Sequence, residues 1–220
     1  MSYKGIISKD IQPLTPETTI SEALIAMNTL HLEHLPVVEN KKLVGVVTAK
    51  KLHAFKNKNK TIATIELDTK NIAISIEEHL FNIIQFAANH HLTCIAMLNT
   101  KDEYIGAIKS SALIHYIADY FSFTTPGSII ILEMHPNDYS LTEIAGIVEN
   151  NHAKIIGLFT RFSSTNSKME VNIKINKEEI EPILQTFNRY NYHIKSVFSQ
   201  YHVAEELKGR YEALINYLSI

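Results

Sequence analysis

The chain has 220 residues, of which 45% are hydrophobic and 20% are charged, and this balance excludes a mainly disordered protein. Lysine and arginine (21) nearly balance aspartate and glutamate (23), which argues against a specialist in binding nucleic acid or anionic membranes. The single cysteine, the lack of a secretory signal and apolar runs far below the ~20 residues that cross a bilayer together predict a soluble, cytoplasmic protein.

A helix and a hairpin are predicted first along the chain. Thr19 or Ser21 can cap a helix whose apolar residues recur at helical spacing up to Leu30. Two short runs rich in β-branched residues, Leu35–Val38 and Leu43–Val47, flank a polar turn and therefore predict a β-hairpin.

A second helix is predicted from about Ala49 to Phe55, and the lysine and asparagine run 56–60 that follows is interpreted as a solvated connector.

The same pattern of helix and hairpin then returns with an offset of 60 residues, which becomes 61 after one extra residue in the loop 99–104. A match that spans helix and hairpin with a single slip indicates an internal duplication. We assign residues 1–60 to the first repeat and 61–124 to the second. Strand residues that recur in both copies predict the core: Leu35, Val37, Val46, Ile95, Met97 and Ile108.

A different pattern begins after the turn-forming pair Pro126–Gly127. Residues 125–201 read as strand, helix, strand, strand, helix and strand, which is the ferredoxin-like βαββαβ order. Residues 202–220 form an amphipathic pattern with apolar residues at 207, 211, 214, 215 and 218, which predicts a C-terminal helix. The predicted elements of residues 125–201 are Ser128–Met134, Leu141–Glu149, Lys154–Phe162, Met169–Ile175, Ile180–Arg189 and Tyr192–Phe198.

The two repeats resemble tandem CBS domains, the Bateman module. The resemblance rests on Leu14–Glu17, the helix 21–27, Leu35–Val38 and Leu43–Thr48, and it covers about residues 6–120. The C-terminal part resembles an ACT domain in the order and length of its elements. The whole arrangement is similar to the CBS–ACT proteins of the acetoin-utilisation B-like family. The resemblance implies an α/β (α+β) chain with a tandem CBS pair followed by a ferredoxin-like, ACT-like domain.

This resemblance also implies a ligand site, because CBS pairs usually enclose ligands that contain adenosine. The ribose motif of the family ends one strand and begins the next helix as Gly–h–h–Thr/Ser–x–x–Asp. In the first repeat Gly45 and Thr48 fit this motif, but Lys51 stands at the aspartate position. In the second repeat Lys109 stands at the threonine position and Ala112 at the aspartate position. The candidate ligand-binding residues are Thr48, Lys51, Lys109, Ser110, Ser111 and Pro36.

The charge of these lysines predicts which nucleotide would bind. Where a lysine replaces the ribose acceptor, attraction between its charge and the phosphate groups dominates binding. ATP or ADP should therefore bind more tightly than AMP, and adenosine most weakly. In the ACT-like part, Tyr139 stands where members that bind amino acids have a glycine, and Asn137 and Asp138 are interpreted as caps of the following helix.

No catalytic residue and no metal ligand are assigned. The sequence has no nucleophile elbow, no phosphate-binding glycine loop and no HExxH or CxxC spacing, and Cys94 lies in an apolar run typical of a buried thiol. Two classes of function remain open beside a cryptic enzyme. One is a regulatory protein that senses a nucleotide, with the ACT-like domain for oligomerisation or effector binding. The other is a ligand-free module for dimerisation or for docking an unknown protein partner. In either case we expect a homodimer.

Overall fold

The computed structural model describes residues 3–8, 10–70, 72–163 and 167–199. These residues form two compact units, divided between Ile117 and Ala118. Both units contain helices and β-sheets, so the α+β fold class is confirmed. No helix in the described ranges combines the length and the hydropathy needed to span a bilayer. The C-terminal helix predicted for residues 202–220 lies outside the described residues.

The first unit contains the two repeats. Thr19 caps the first helix through a capping box with Glu22, whose carboxylate accepts a hydrogen bond from the backbone N–H of Thr19 at 2.8 Å. In the first repeat the elements are α1 (Ile20–Leu30), β1 (His34–Glu39), β2 (Lys42–Thr48) and α2 (Ala49–His53). In the second repeat they are β3 (Ala73–Ser75), α3 (Leu80–Asn89), β4 (Cys94–Leu98), β5 (Tyr104–Lys109) and α4 (Ser110–Tyr120).

The duplication is visible in irregular details of the backbone as well as in the element order. Each hairpin carries one register shift, between Val37 and Val38 in the first repeat and between Met97 and Leu98 in the second. His31 and His91, which are equivalent, both adopt the left-handed conformation where the first helix of the repeat ends. The six predicted core residues are all buried, at 4% exposure or less, which confirms the strand periodicity.

Each repeat is completed by a short segment that precedes the other one. We call residues 6–8 and 66–68 the leading segments. Val46 and Asp68 exchange two backbone hydrogen bonds, of 2.9 and 3.1 Å, and the N–H of Ser8 donates to the carbonyl of Ala107 at 2.8 Å. The segment that leads into the second repeat therefore pairs with β2 of the first, and the segment that leads into the first repeat pairs with β5 of the second.

A glycine at each crossing makes this close approach possible. A Cβ atom at Gly45 would lie 2.6 Å from Cβ of Leu67, and a Cβ atom at Gly106 would collide with the side chain of Ile7. Any larger residue would push the leading segment away from the hairpin.

The segment 56–60 forms hydrogen bonds with the ends of two helices. The ammonium group of Lys58 donates to the carbonyls of Leu52 and His53, at 2.8 and 3.1 Å, and so caps the end of α2. The carbonyl of Lys60 accepts from the N–H of Ile20 at 2.9 Å, at the start of α1. Residues 56, 57, 59 and 60 are exposed, as expected of a solvated connector, and the capping role of Lys58 is an addition that composition does not show.

The second unit has the predicted βαββαβ order. The elements are β6 (Ser128–Met134), α5 (Leu141–Asn150), β7 (Ile155–Phe162), β8 (Met169–Ile175), α6 (Glu181–Arg189) and β9 (His193–Phe198). The antiparallel sheet has the strand order β7-β8-β6-β9, with α5 and α6 packed on one face around a shared apolar core.

The cap predicted for α5 was wrong. Ser140, not Asn137 or Asp138, accepts the hydrogen bond from the N–H of Glu143, at 3.3 Å. Pro136 begins a short 3-10 turn that ends at Asp138, whereas α5 begins at Leu141, the residue at which the sequence predicts it. Ser140 directly precedes the helix and has the extended backbone that a cap requires.

Candidate ligand site in the first repeat

Thr48 lies at the junction between β2 and α2. Its hydroxyl oxygen accepts a hydrogen bond from the backbone N–H of Lys51 at 3.2 Å, and its backbone is extended, as expected of a helix cap. A threonine hydroxyl that accepts one hydrogen bond still has a proton to donate. The half-buried Thr48 thus holds a donor at the position that the sequence predicted.

Lys51 forms an ion pair that the sequence analysis did not predict. Its Nζ lies 3.2 Å from Oδ1 of Asp68, on the leading segment of the second repeat, and the two side chains are 31% and 54% exposed. The structure therefore places a carboxylate beside the lysine that replaces the aspartate of the motif. A signal for Asp68 was present in the sequence: the offset of 60, continued upstream, aligns Ile7–Ser8 with Leu67–Asp68.

His34 joins this site to the second repeat. It lies directly opposite Thr48 in the hairpin, and its Nδ1 is 3.1 Å from the hydroxyl oxygen of Thr93. That oxygen also accepts from the backbone N–H of Glu33 at 2.9 Å, so its proton is directed to His34 Nδ1. Burial lowers the pKa of His34, while the charges of Glu33 and Asp68 oppose this shift. The ring is therefore neutral, with its proton on Nε2.

The candidates of the second repeat lie at the β5–α4 junction. The N–H of Ser110 donates to the carbonyl of Thr93 at 3.1 Å, and its hydroxyl donates to the carbonyl of Leu92. Ser111 is exposed on α4, and Lys109 lies opposite Cys94. The structure therefore brings Thr48 and Lys51 together with Asp68, and it links Ser110 to them through Thr93 and His34. Lys109 and Ser111 belong to the other repeat.

Pro36 and Cys94 are buried. The carbonyl of Pro36 accepts a hydrogen bond from the N–H of Leu14 at 2.8 Å, so this residue serves the strand pairing of β1. Burial raises the pKa of Cys94 to about 12, although the charge of Lys109 opposes the shift. A thiol with such a pKa is a poor nucleophile at neutral pH.

A metal site has no support among residues 3–8, 10–70, 72–163 and 167–199. In these ranges no group of three or more histidine, cysteine, aspartate or glutamate side chains lies close enough to hold a metal ion. The polar groups around Thr48 are a hydroxyl, an ammonium group, a carboxylate and an imidazole, a set suited to a ligand with phosphate and hydroxyl groups.

Comparison with known proteins finds a recognised type of domain over the part of the chain that contains Thr48 and Lys51. Residues 4–55 match the family model "CBS domain". A curated relative, inosine-5'-monophosphate dehydrogenase of Methanocaldococcus jannaschii, is 32% identical over 74 residues, which cover 33% of this chain but only 14% of that enzyme.

Two solved structures are also similar to this chain. One is a CBS domain pair/ACT domain protein of Thermotoga maritima, with 13% identity, a TM-score of 0.49, and coverage of 55% of this chain and 98% of that chain. The other is a putative acetoin utilization protein of Vibrio cholerae, with 19% identity, a TM-score of 0.48, and coverage of 56% and 95%. The comparisons thus show a match to the CBS domain over residues 4–55, which lie within the first repeat.

Proposed function

We propose that the paired repeats form a non-catalytic regulatory module that senses an adenine nucleotide at Thr48, Lys51 and Asp68. The observation that carries this proposal is the 3.2 Å pair of Lys51 Nζ and Asp68 Oδ1 beside the Thr48 cap. It provides a cation for phosphate and a carboxylate for hydroxyl groups within one site. Ligands with both groups are those that CBS pairs, which the repeats resemble, usually enclose.

In this proposal Asp68 supplies the carboxylate that accepts hydrogen bonds from ribose, since Lys51 occupies the aspartate position of the motif. Two ribose hydroxyls are donors, and they need an acceptor that Lys51 cannot supply. A ligand that enters the site gives each member of the pair a new partner, with ribose on Asp68 and phosphate on Lys51. Because an exposed ion pair contributes only about 0–1 kcal/mol to stability, separating it costs little. Thr48 donates its hydroxyl proton to the same ligand.

The second repeat is expected to bind more weakly. In the repeat alignment, Ser8 occupies the position equivalent to Asp68, and Ala112 occupies the position equivalent to Lys51. The second repeat therefore lacks both charged groups of the pair. Lys109, Ser110 and Ser111 remain as candidates for phosphate, although the Ser110 hydroxyl already donates to Leu92. We therefore expect one high-affinity nucleotide site per chain.

The second unit is proposed to serve oligomerisation or effector binding. A second candidate function, a ligand-free dimerisation or protein-interaction module, is favoured by one observation: the charge of Lys51 is already neutralised by Asp68 within the chain. In that case the pair would serve only to hold the leading segment on the first repeat.

Calorimetry with ATP, AMP and adenosine distinguishes the two functions. In the wild type we expect ATP to bind more tightly than AMP, adenosine to bind most weakly, and affinity to fall as salt rises. Lys51→Ala should weaken ATP by about tenfold but leave adenosine nearly unchanged, whereas Asp68→Asn should weaken all three ligands. Lys50→Ala, which removes the same charge from the neighbouring exposed position, is the control and should have little effect.

Two results would overturn this proposal. If none of the three ligands produces heat, the interaction module is the better account. If adenosine binds as tightly as ATP, the role given to Lys51 is wrong.

A further inference from the structure

Thr93, in the second repeat, contacts the start of α4 directly and the start of α2 through Glu33. Its carbonyl accepts a hydrogen bond from the backbone N–H of Ser110 at 3.1 Å, where α4 begins. Its hydroxyl oxygen accepts from the backbone N–H of Glu33 at 2.9 Å. The carbonyl of Glu33 in turn accepts from the N–H of Ala49 at 2.9 Å, where α2 begins. Because the first N–H groups of a helix have no partner within it, these bonds help to fix both helix starts.

The hydroxyl bond is an addition to the repeated pattern. The backbone bonds at the two helix starts are equivalent, since Glu33 aligns with Thr93 and Ala49 aligns with Ser110. Glu33 has an exposed carboxylate where Thr93 has a hydroxyl, so it cannot return the same bond to the second repeat. The hydroxyl of Thr93 therefore acts on the first repeat, which contains Thr48 and Lys51.

The same hydroxyl determines which nitrogen of His34 carries the ring proton. Thr93 donates its hydroxyl proton to Nδ1 at 3.1 Å, and its backbone N–H also faces that nitrogen, at 3.4 Å. With two donors directed at it, Nδ1 must be the acceptor, and the proton of the neutral ring is on Nε2. Removing the hydroxyl would remove the stronger of these two constraints on the ring.

His34 lies beside the proposed ligand site. It is the direct partner of Thr48 in the hairpin, and side chains of such partners share one face, with Cβ atoms about 4.5–5.5 Å apart. Within the described part of the chain, the Nε2–H of His34 has no hydrogen-bond partner. A donor is therefore available next to Thr48, and an N–H that donates to an ionised phosphate forms a strong, charge-assisted bond.

We propose that Thr93 is a positioning residue of the nucleotide site in the first repeat and that it acts through His34. The role rests on the proposed function and deepens it: the Thr93 hydroxyl holds the imidazole so that its Nε2–H donates to the phosphate groups of the nucleotide. Asp68, to which the ribose is assigned, is held by the pairing of its segment with β2 instead. Thr93 should therefore affect the binding of phosphate groups and not that of ribose.

Calorimetry on the full chain, with ATP and adenosine as probes, tests the role of the hydroxyl. Thr93→Val keeps the shape of the side chain without the hydroxyl, and should weaken ATP about tenfold while adenosine changes less than about twofold. Thr93→Ser retains a hydroxyl and should bind ATP within about twofold of the wild type. Thr100→Val, at an exposed threonine in the loop between β4 and β5, is the control and should change neither affinity.

A double-mutant cycle shows whether Thr93 acts through His34. His34→Asn keeps an acceptor for Thr93 but has no donor at the position of Nε2, so it should also weaken ATP about tenfold. If Thr93 serves the ligand only by holding His34, the double variant should lose about tenfold as well. Two independent residues would instead give a loss of about a hundredfold.

Nitrogen NMR of the imidazole gives a measurement that needs no Thr93 variant. The His34 signals are assigned by their absence from the spectrum of His34→Asn, and at neutral pH we expect the wild-type ring to be protonated on Nε2. A ring protonated on Nδ1 would contradict the proposed role, even if Thr93→Val did not fold.

The calorimetry separates failure of this role from failure of the proposed function. If the wild type gives no heat with ATP, the proposed function is wrong and the role of Thr93 is wrong with it. If the wild type binds ATP but Thr93→Val binds it equally well, only the role of Thr93 is wrong. Equal losses for ATP and adenosine, which would indicate a general disturbance of the fold, and additive losses in the cycle would also overturn it.

Discussion

Nδ1 of His34 lies 3.1 Å from the hydroxyl oxygen of Thr93, and this contact joins the two repeats where β1 meets β4. It requires a neutral imidazole, because Nδ1 accepts the hydroxyl proton. Burial already favours that state by lowering the pKa of His34. The contact between the repeats therefore depends on pH.

The sign of this dependence follows from proton linkage. The unfolded chain takes up a proton at His34 near pH 6.5, whereas the folded protein does so only at a lower pH. The unfolded state therefore binds more protons in this window, and stability decreases as the pH falls below about 6.5. His34→Asn keeps an acceptor near the position of Nδ1 but does not titrate. Urea unfolding between pH 8 and pH 5 should show a smaller loss of stability for the variant, and equal losses would contradict the role of His34.

Val46 provides a test of the core. It is 4% exposed, whereas Val44 on the same strand is 38% exposed. Val46→Asp buries a charge without a partner and should cost several kcal/mol, on the order of the whole stability of a small domain. Val44→Asp adds the same charge at the exposed position and should cost far less. Thermal unfolding measures both variants, and similar melting temperatures would show that the strand register is wrong.

Gly45→Ala should disturb both the fold and the ligand site. The added methyl group would overlap Leu67 and force the leading segment 66–68 away from β2, at a cost of about 1–3 kcal/mol. Asp68 moves with that segment, so the affinity for ATP should decrease as well.

Gly146→Ala is the matched control for this substitution. In α5 a new Cβ meets nothing within 4 Å, so the variant should be stabilised by about 0.5–1 kcal/mol through helix propensity. If Gly45→Ala behaved like Gly146→Ala, the crossing of the leading segment would not be as tight as described.

The proposed homodimer predicts a mass by light scattering close to twice the 25.0 kDa of one chain. Apolar side chains on the helices of both repeats are exposed, with Ile25 at 64%, Phe81 at 56% and Ile114 at 65%, and such surface is typical of association. Ile25→Glu should shift the equilibrium toward monomer. A wild-type mass of one chain at micromolar concentration would contradict the dimer.

The hairpins and their core were predictable because alternating apolar residues report directly which face of a strand is buried. Thr48 was identified through the resemblance of residues 45–48 to the CBS ribose motif, and its role as the cap of α2 was seen only in the structure. Asp68 was not found, because its position depends on a pairing with Val46, 22 residues away, and three residues carry no periodicity. The capping role of Lys58 was missed for the same reason: it is visible only once α2 has a defined end.

The exchange of leading segments limits how the first unit can be cut into fragments. Residues 66–68 pair with β2 of the first repeat and residues 6–8 pair with β5 of the second, so each repeat depends on a segment that precedes the other. A fragment that ends before residue 66 would leave the edge of β2 unpaired, and such edges recruit strands from other chains. Two fragments could satisfy each other only by trading segments, as swapped dimers do. The duplicated part of this protein is thus arranged like a dimer fused into one chain, and we expect its two repeats to fold and unfold together.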